Sequence, residues 1–194
     1  ADFGKKVNLP HDYMIEGEVR EDAAAQAAMG YYTGTVGCYT KIFSVPAEWE
    51  GERILLYFDG VMLNASVEVN GCDLALHHYG YTPFFVDISS YLYYGENNRI
   101  MIRVNPSMQP NSRWYTGAGI YRSVTLIHTP KLYIAPDGIF LYTKRIDRDG
   151  DGCPEAAHIC AEVTLGNDTA ADRLVNVGVR FSEDVCRSTK ILVK

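Results

Sequence analysis

"ASVEVNG", residues 65–71, is the stretch on which the fold turns. Ala65, Val67 and Val69 alternate with Ser66, Glu68 and Asn70, so an extended chain here is apolar on one side and polar on the other. That period of two belongs to a half-buried strand. Asn70-Gly71 then supplies two residues that tolerate positive φ, which a tight hairpin turn requires. The alternation returns in "RIMIRVN" at 99–105, where Ile100, Ile102 and Val104 are set against Met101, Arg103 and Asn105. "RILLYF" at 53–58 is an apolar run after Arg53 and leads into Asp59-Gly60, as a strand covered on both faces does.

Working outward, "CYTKIFSVP" (38–46) and "RSVTLIH" (122–128) read as further short strands. Turn signals recur every ten residues or so, which argues for an all-β sandwich or barrel. The alanine-rich "REDAAAQAAMG" (20–30) predicts one short helix stopped by Gly30, and "DISSYLYYGENN" (87–98) predicts a single turn that tucks Leu92 inward. A break falls in "HTPKLYIAPDG" (128–138), where two prolines and a glycine follow a strand. Beyond it, "GIFLYTKRID", "AHICAEVTLGN" and "RLVNVGVRFS" make a second strand series. These few strands fall short of the roughly 100 residues of a complete sandwich. The expected organisation is therefore one domain over 1–130 and a partial second one over 131–194.

The 194 residues carry a net charge of −6, with no run of Lys or Arg to neutralise phosphates, which argues against a nucleic-acid partner. No apolar stretch approaches the roughly 20 residues of a membrane span. Neither end shows a signal-peptide pattern, and the compartment stays open. Cys38, Cys72, Cys153, Cys160 and Cys186 are an odd set without a CxxC pair, read as buried or half-buried free thiols rather than a zinc or redox centre. "DRDGDG" (147–152) places Asp147, Asp149 and Asp151 at calcium-loop spacing, but His158 occupies the twelfth place where a Glu is needed. An acidic hairpin loop is the expectation there, and no metal site. His77 and His78 are adjacent, so on a strand they point to opposite faces. No GxSxG, HExxH or P-loop pattern occurs, so no catalytic set and no cofactor is expected.

One segment does not fit plain strands. "NSRWYTGAGIYR" (111–122) brackets Trp114, Tyr115 and Tyr121 between Arg113 and Arg122. Guanidinium groups offer planar donors to hydroxyls, and aromatic rings offer flat faces to C–H surfaces, a combination suited to a sugar. The same residues also suit packing on a sandwich, with the arginines paired to acids. The residues leave both readings open.

Several blocks together resemble the N-terminal part of glycoside hydrolase family 2, the group of β-galactosidases, β-glucuronidases and β-mannosidases. They are "VNLPHDY" (7–13), "GCYTKIFSVPAEWEGERILLYFDGV" (37–61), "ASVEVNG" (65–71), "GYTPFFVDISSYLYYGENNRIMIRV" (80–104) and "NSRWYTGAGIYRSVTL" (111–126). Tyr13 stands where the family usually has Trp. The resemblance implies a galactose-binding-like jelly-roll β-sandwich followed by a partial immunoglobulin-like β-sandwich. It implies as well that both catalytic glutamates belong to a TIM barrel outside this chain, the chain's expected partner. By the same resemblance the 111–116 loop reaches a β-linked sugar substrate in the full-length enzyme. Arg113 is then the leading contact, with Asn111, Trp114 and Tyr115 beside it. The "NSRWY" form resembles the galactosidase-like branch. Two other classes stay open: an autonomous carbohydrate-binding module, and a structural or oligomerisation domain whose aromatic loop packs on a neighbour, homo-oligomers included.

Overall fold

The computed structural model describes residues 4–180 and 186–194. Their strands are β1 (Gly37–Ser44), β2 (Arg53–Phe58), β3 (Ala65–Val69), β4 (Cys72–His77), β5 (Phe84–Asp87), β6 (Asn97–Val104), β7 (Val124–Thr129), β8 (Leu132–Arg148), β9 (Pro154–Asn167), β10 (Arg173–Arg180) and β11 (Cys186–Val193). The backbone divides into two compact units, residues 1–128 and 129–194. Phe181 and Ser182, at the end of the expected "RLVNVGVRFS" strand, lie outside the described residues.

The first unit is a β-sandwich. One sheet has the order β1-β6-β3-β4 and the other β5-β2-β7. Their inner faces share one core: Ala65, Val67 and Val69 of β3 and Ile100, Ile102 and Val104 of β6 meet Ile54, Leu56 and Phe58 of β2 and Val86 of β5. Val67 lies opposite Ile102 in the antiparallel β3–β6 ladder. Leu55 is buried as well, so β2 is covered on both faces. Each such aliphatic side chain contributes about 1.5–3 kcal/mol when fully buried.

The turns are held by specific side chains. Asn70 and Gly71 take φ of 51° and 87° between β3 and β4. Asn70 Nδ2 donates to Asn98 Oδ1 at 2.8 Å, and Asn98 is 1% exposed. Asn98 also accepts from the Tyr93 N–H and donates to the carbonyls of Tyr93 and Glu96, so this buried amide is fully used. A 3-10 turn over Ser89–Tyr91 brings Leu92 inward to 8% exposure.

Three sequence expectations need correction. No α-helix forms over 20–29: the N–H groups of Ala23, Gln26, Ala28 and Gly30 donate three residues back, giving successive tight turns with one 3-10 stretch at Gln26–Met29. Alanine propensity loses here because Ala23, Ala25 and Met29 are drawn inward to pack. The break expected over 128–138 is shorter, because β8 begins at Leu132 and runs through Pro136. That proline lies in a register shift between Ile134 and Ile139 inside β8, where its missing N–H is tolerated. All five cysteines are free, but four are exposed and Cys160 is intermediate, because they fall outside the inward-facing positions. Arg122 pairs with an acid as the packing reading has it: its side chain is 44% exposed, lies 3.9 Å from the Asp59 carboxylate and donates to the Asp59 carbonyl at 3.5 Å.

The second unit consists of two antiparallel pairs, β8–β9 and β10–β11. None of its described residues is buried. Phe140 is 60% and Leu174 68% exposed, so apolar strand faces are left open. The acidic turn after β8 uses its own carboxylates: Asp149 Oδ1 accepts the N–H groups of Asp151 and Cys153, and Asp147 pairs with Arg145 and His158.

Val67→Asp or Ile102→Asp should prevent folding, since an unpaired buried carboxylate costs several kcal/mol against the roughly 5–15 available. Glu68 points to the other face, but its side chain is 17% exposed and 2.6 Å from Arg99. Glu68→Lys should therefore be felt, at about 1 kcal/mol. Thermal melts that rank Glu68→Lys as the most damaging of the three would place the register one residue off.

Candidate functional site

The connection from β6 to β7 carries the 111–122 segment, and its two halves behave differently. Gly117 to Ile120 are buried. They run between residues 11–13 and Met62 like a short inserted strand. The His11 N–H donates to the Ile120 carbonyl and the Tyr13 N–H to that of Ala118, while Met62 and Gly119 exchange both backbone bonds. Gly119 has no room for a side chain: a Cβ would lie 2.5 Å from the His11 carbonyl oxygen and 2.5 Å from the Tyr39 hydroxyl. That hydroxyl is hydrogen-bonded to His11 Nδ1 at 2.8 Å, and burial pushes its pKa up to about 12.

Asp12 locks the base of the loop. Its Oδ1 accepts from the N–H groups of Met14 and Ala118, both at 2.9 Å, and its Oδ2 from the Tyr115 hydroxyl at 2.7 Å. Tyr115 also packs its ring on Tyr32, with centroids 5.5 Å apart. Burial, and then the bond to Asp12, holds the Tyr115 phenol well above its usual pKa. Beneath the loop Met14, Ala25, Met29 and Ala118 form a small second core. The alanine-rich segment thus serves as a thin floor for the loop.

The tip faces outward. The Ser112 hydroxyl donates to the Trp114 carbonyl and accepts from the Trp114 N–H, closing a tight turn. Arg113 is exposed and makes no hydrogen bond or ion pair among the described residues. Trp114 is 62% exposed, and its Nε1 donates to the Tyr81 hydroxyl at 3.4 Å. Asn111 is half-buried. Its Oδ1 accepts from the Thr116 hydroxyl at 3.5 Å, while its Nδ2 is buried without a partner.

Of the four residues singled out from sequence, the loop thus displays Arg113 and Trp114, sets Asn111 at its root, and turns the Tyr115 hydroxyl inward onto Asp12. Sequence reasoning missed Asp12 and the pair Tyr79 and Tyr81, which lies next to Trp114. The signal for the tyrosines was "YGY" at 79–81, two large aromatics on either side of a glycine. His77 and His78 do diverge: His77 stacks on Phe84, and His78 bonds Asn64 Oδ1. Tyr13, at the family's Trp position, donates to the Thr35 carbonyl at 2.8 Å and packs on the main core. Chemically, the exposed tip offers a guanidinium, an indole and phenols, which are groups for recognition. The carboxylate at its base is occupied by three donors.

Comparison with known proteins gives a consistent picture. Residues 11–130 match the family model described as glycosyl hydrolases family 2, sugar binding domain. A β-galactosidase of Bacteroides ovatus is 39% identical over 88% of this chain, and a β-glucuronidase of Bacteroides fragilis 31% identical over 98%. A crystal structure of a glycosyl hydrolase family 2 member from Bacteroides cellulosilyticus superposes on 98% of the chain with a TM-score of 0.88 and 31% identity. The chain spans 19%, 26% and 25% of those three proteins, respectively.

Asp12→Ala should destabilise the chain by about 3 kcal/mol, because it removes three bonds to a charged acceptor and strands the buried Ala118 N–H. Asp12→Asn keeps an acceptor for both backbone donors and should cost about 1 kcal/mol. Urea unfolding of the two variants checks the order; equal, negligible losses would mean that the loop is not held by this carboxylate.

Proposed function

The chain belongs to glycoside hydrolase family 2, and from that premise we propose that it is the N-terminal, non-catalytic portion of a retaining β-glycosidase of the β-galactosidase kind. In this reading the 111–116 loop helps to shape the substrate site of a TIM barrel that carries the acid/base and nucleophile. Arg113 donates to sugar hydroxyls, Trp114 and Asn111 flank it, and Tyr115 acts by holding the loop on Asp12. The observation that carries the reading is the division of labour within one loop: a buried base tied by Asp12, and a tip whose guanidinium is uncommitted. A cation displayed on a fixed base, with no acid of its own, suits use by a neighbouring site.

The galactosidase assignment is supported by the Bacteroides ovatus relative and by Arg in the "NSRWY" form. The glucuronidase names among the relatives make β-glucuronides the competing substrate class. The second unit is read as the beginning of an immunoglobulin-like sandwich. Its exposed Phe140, Leu174 and Leu192 would then meet further strands of that domain. No cofactor enters this function.

The isolated chain should hydrolyse no aryl β-galactoside, β-glucuronide or β-mannoside above background, since the carboxylate pair lies in the barrel. In the full-length enzyme Arg113→Ala should lower kcat/KM about ten- to a hundredfold, equivalent to about 1.4–2.7 kcal/mol of transition-state binding. The same change should leave the melting temperature of the 194-residue chain unaltered. Arg122→Ala should cost no more than about 1 kcal/mol, given its exposed side chain and long contacts to Asp59. An Arg113 variant that melts early yet keeps full activity would make the loop a packing element instead.

A further inference from the structure

At the tip of the 111–116 loop and beside it stand three aromatic side chains that the core does not use. Tyr79 and Tyr81, from the β4–β5 connection, are 60% and 42% exposed, and Trp114 is 62% exposed. Tyr79 and Tyr81 meet edge-to-face with centroids 5.6 Å apart, and the Trp114 indole N–H reaches the Tyr81 hydroxyl at 3.4 Å. The turn that bears the tyrosines is pinned. Gly80 is buried against Met62, where a Cβ would lie 2.4 Å from the sulfur, and its carbonyl accepts from the Tyr121 hydroxyl at 2.8 Å. The rings are therefore held outward from a fixed backbone rather than waving on a loose loop.

We propose that Tyr79, Tyr81 and Trp114 form a stacking platform for pyranose rings of an oligosaccharide, taking the sugar units next to the one that Arg113 meets. Flat aromatic faces accept the C–H side of a pyranose, and two phenols and the uncommitted guanidinium of Arg113, next to Trp114 in sequence, offer partners to its hydroxyls. A nucleobase would use similar rings, but it brings phosphates, which a chain of net charge −6 with Arg113 beside Trp114 does not neutralise. The inference rests on the reading above in one respect, that this loop faces sugar.

The test is a binding measurement on the 194-residue chain, independent of turnover. Its two tryptophans differ: Trp49 is half-buried and stacked on His128, whereas Trp114 is exposed, so iodide quenching reports chiefly on Trp114. Titration with β-1,4-galactotetraose, and with cellotetraose as a second probe, should protect Trp114 from iodide. Tyr81→Ala should weaken binding about tenfold, and Tyr81→Phe, which keeps the ring, should stay within about threefold. Tyr31→Ala, an exposed tyrosine elsewhere, serves as the control and should bind as the parent does. Tyr81→Ala binding unchanged, or no protection by either tetrasaccharide, overturns the platform. So does a patch whose Tyr81→Ala change abolishes a concentration-dependent dimer without affecting sugar binding. Failure here with a kinetic defect in full-length Arg113→Ala removes the platform and leaves the proposed function standing. Binding as expected with an Arg113→Ala enzyme of full activity does the reverse.

Discussion

A single carboxylate sets the geometry on which the rest of the first unit depends. Asp12 sits in an irregular N-terminal segment, yet it gathers two backbone N–H groups and a phenol, one of the N–H groups from a residue 106 positions further along the chain. Bonds to a charged acceptor are stronger than neutral ones, and three on one group leave the loop base little freedom. The tie reinforces the backbone bonds from His11 and Tyr13 to Ile120 and Ala118, and with them it holds the segment over the small core of Met14, Ala25, Met29 and Ala118. The glycines make the same demand sterically. Gly119 lets the His11 carbonyl and the Tyr39 hydroxyl approach where any Cβ would collide. The electrostatic tie and the steric allowance fix the same short segment from opposite sides.

The strands were legible because their information is local. Val67 and Ile102 declare their faces by their neighbours in sequence, and Asn70-Gly71 declares its turn through backbone conformation alone. The 20–29 segment was misread for the complementary reason. Its alanines do favour a helix, but nothing local says that Ala25 and Met29 must fit beneath a loop nearly ninety residues away. The break over 128–138 is read too long for a milder reason, since a proline can interrupt a ladder inside a strand. At the site, the type of residue at the tip was readable from "RWY", but its orientation was not. Whether Tyr115 or Trp114 faces out depends on Asp12 and Tyr81, each distant in sequence.

The two units also differ in how their stability is distributed. The first has an enclosed core with side chains from both sheets, so most of its amides open only when the sandwich opens. In the second, long hairpins such as β8–β9 expose apolar side chains such as Phe140 and Leu141. Its hydrogen bonds are therefore guarded by little buried surface. Amide exchange should be slow and cooperative in the one and fast in the other, and a single melting curve would average two distinct processes.

The inward and outward residues of the 111–122 loop are different side chains, and that separation has an evolutionary consequence. Tyr115, Gly117, Ala118 and Gly119 answer to the fold, while Arg113 and Trp114 answer to whatever lies outside it. Mutations at the second pair are judged by function alone, whereas those in the first group must also satisfy folding. The ligand preference of the tip is thus open to change at two codons without a folding defect to be repaired afterwards.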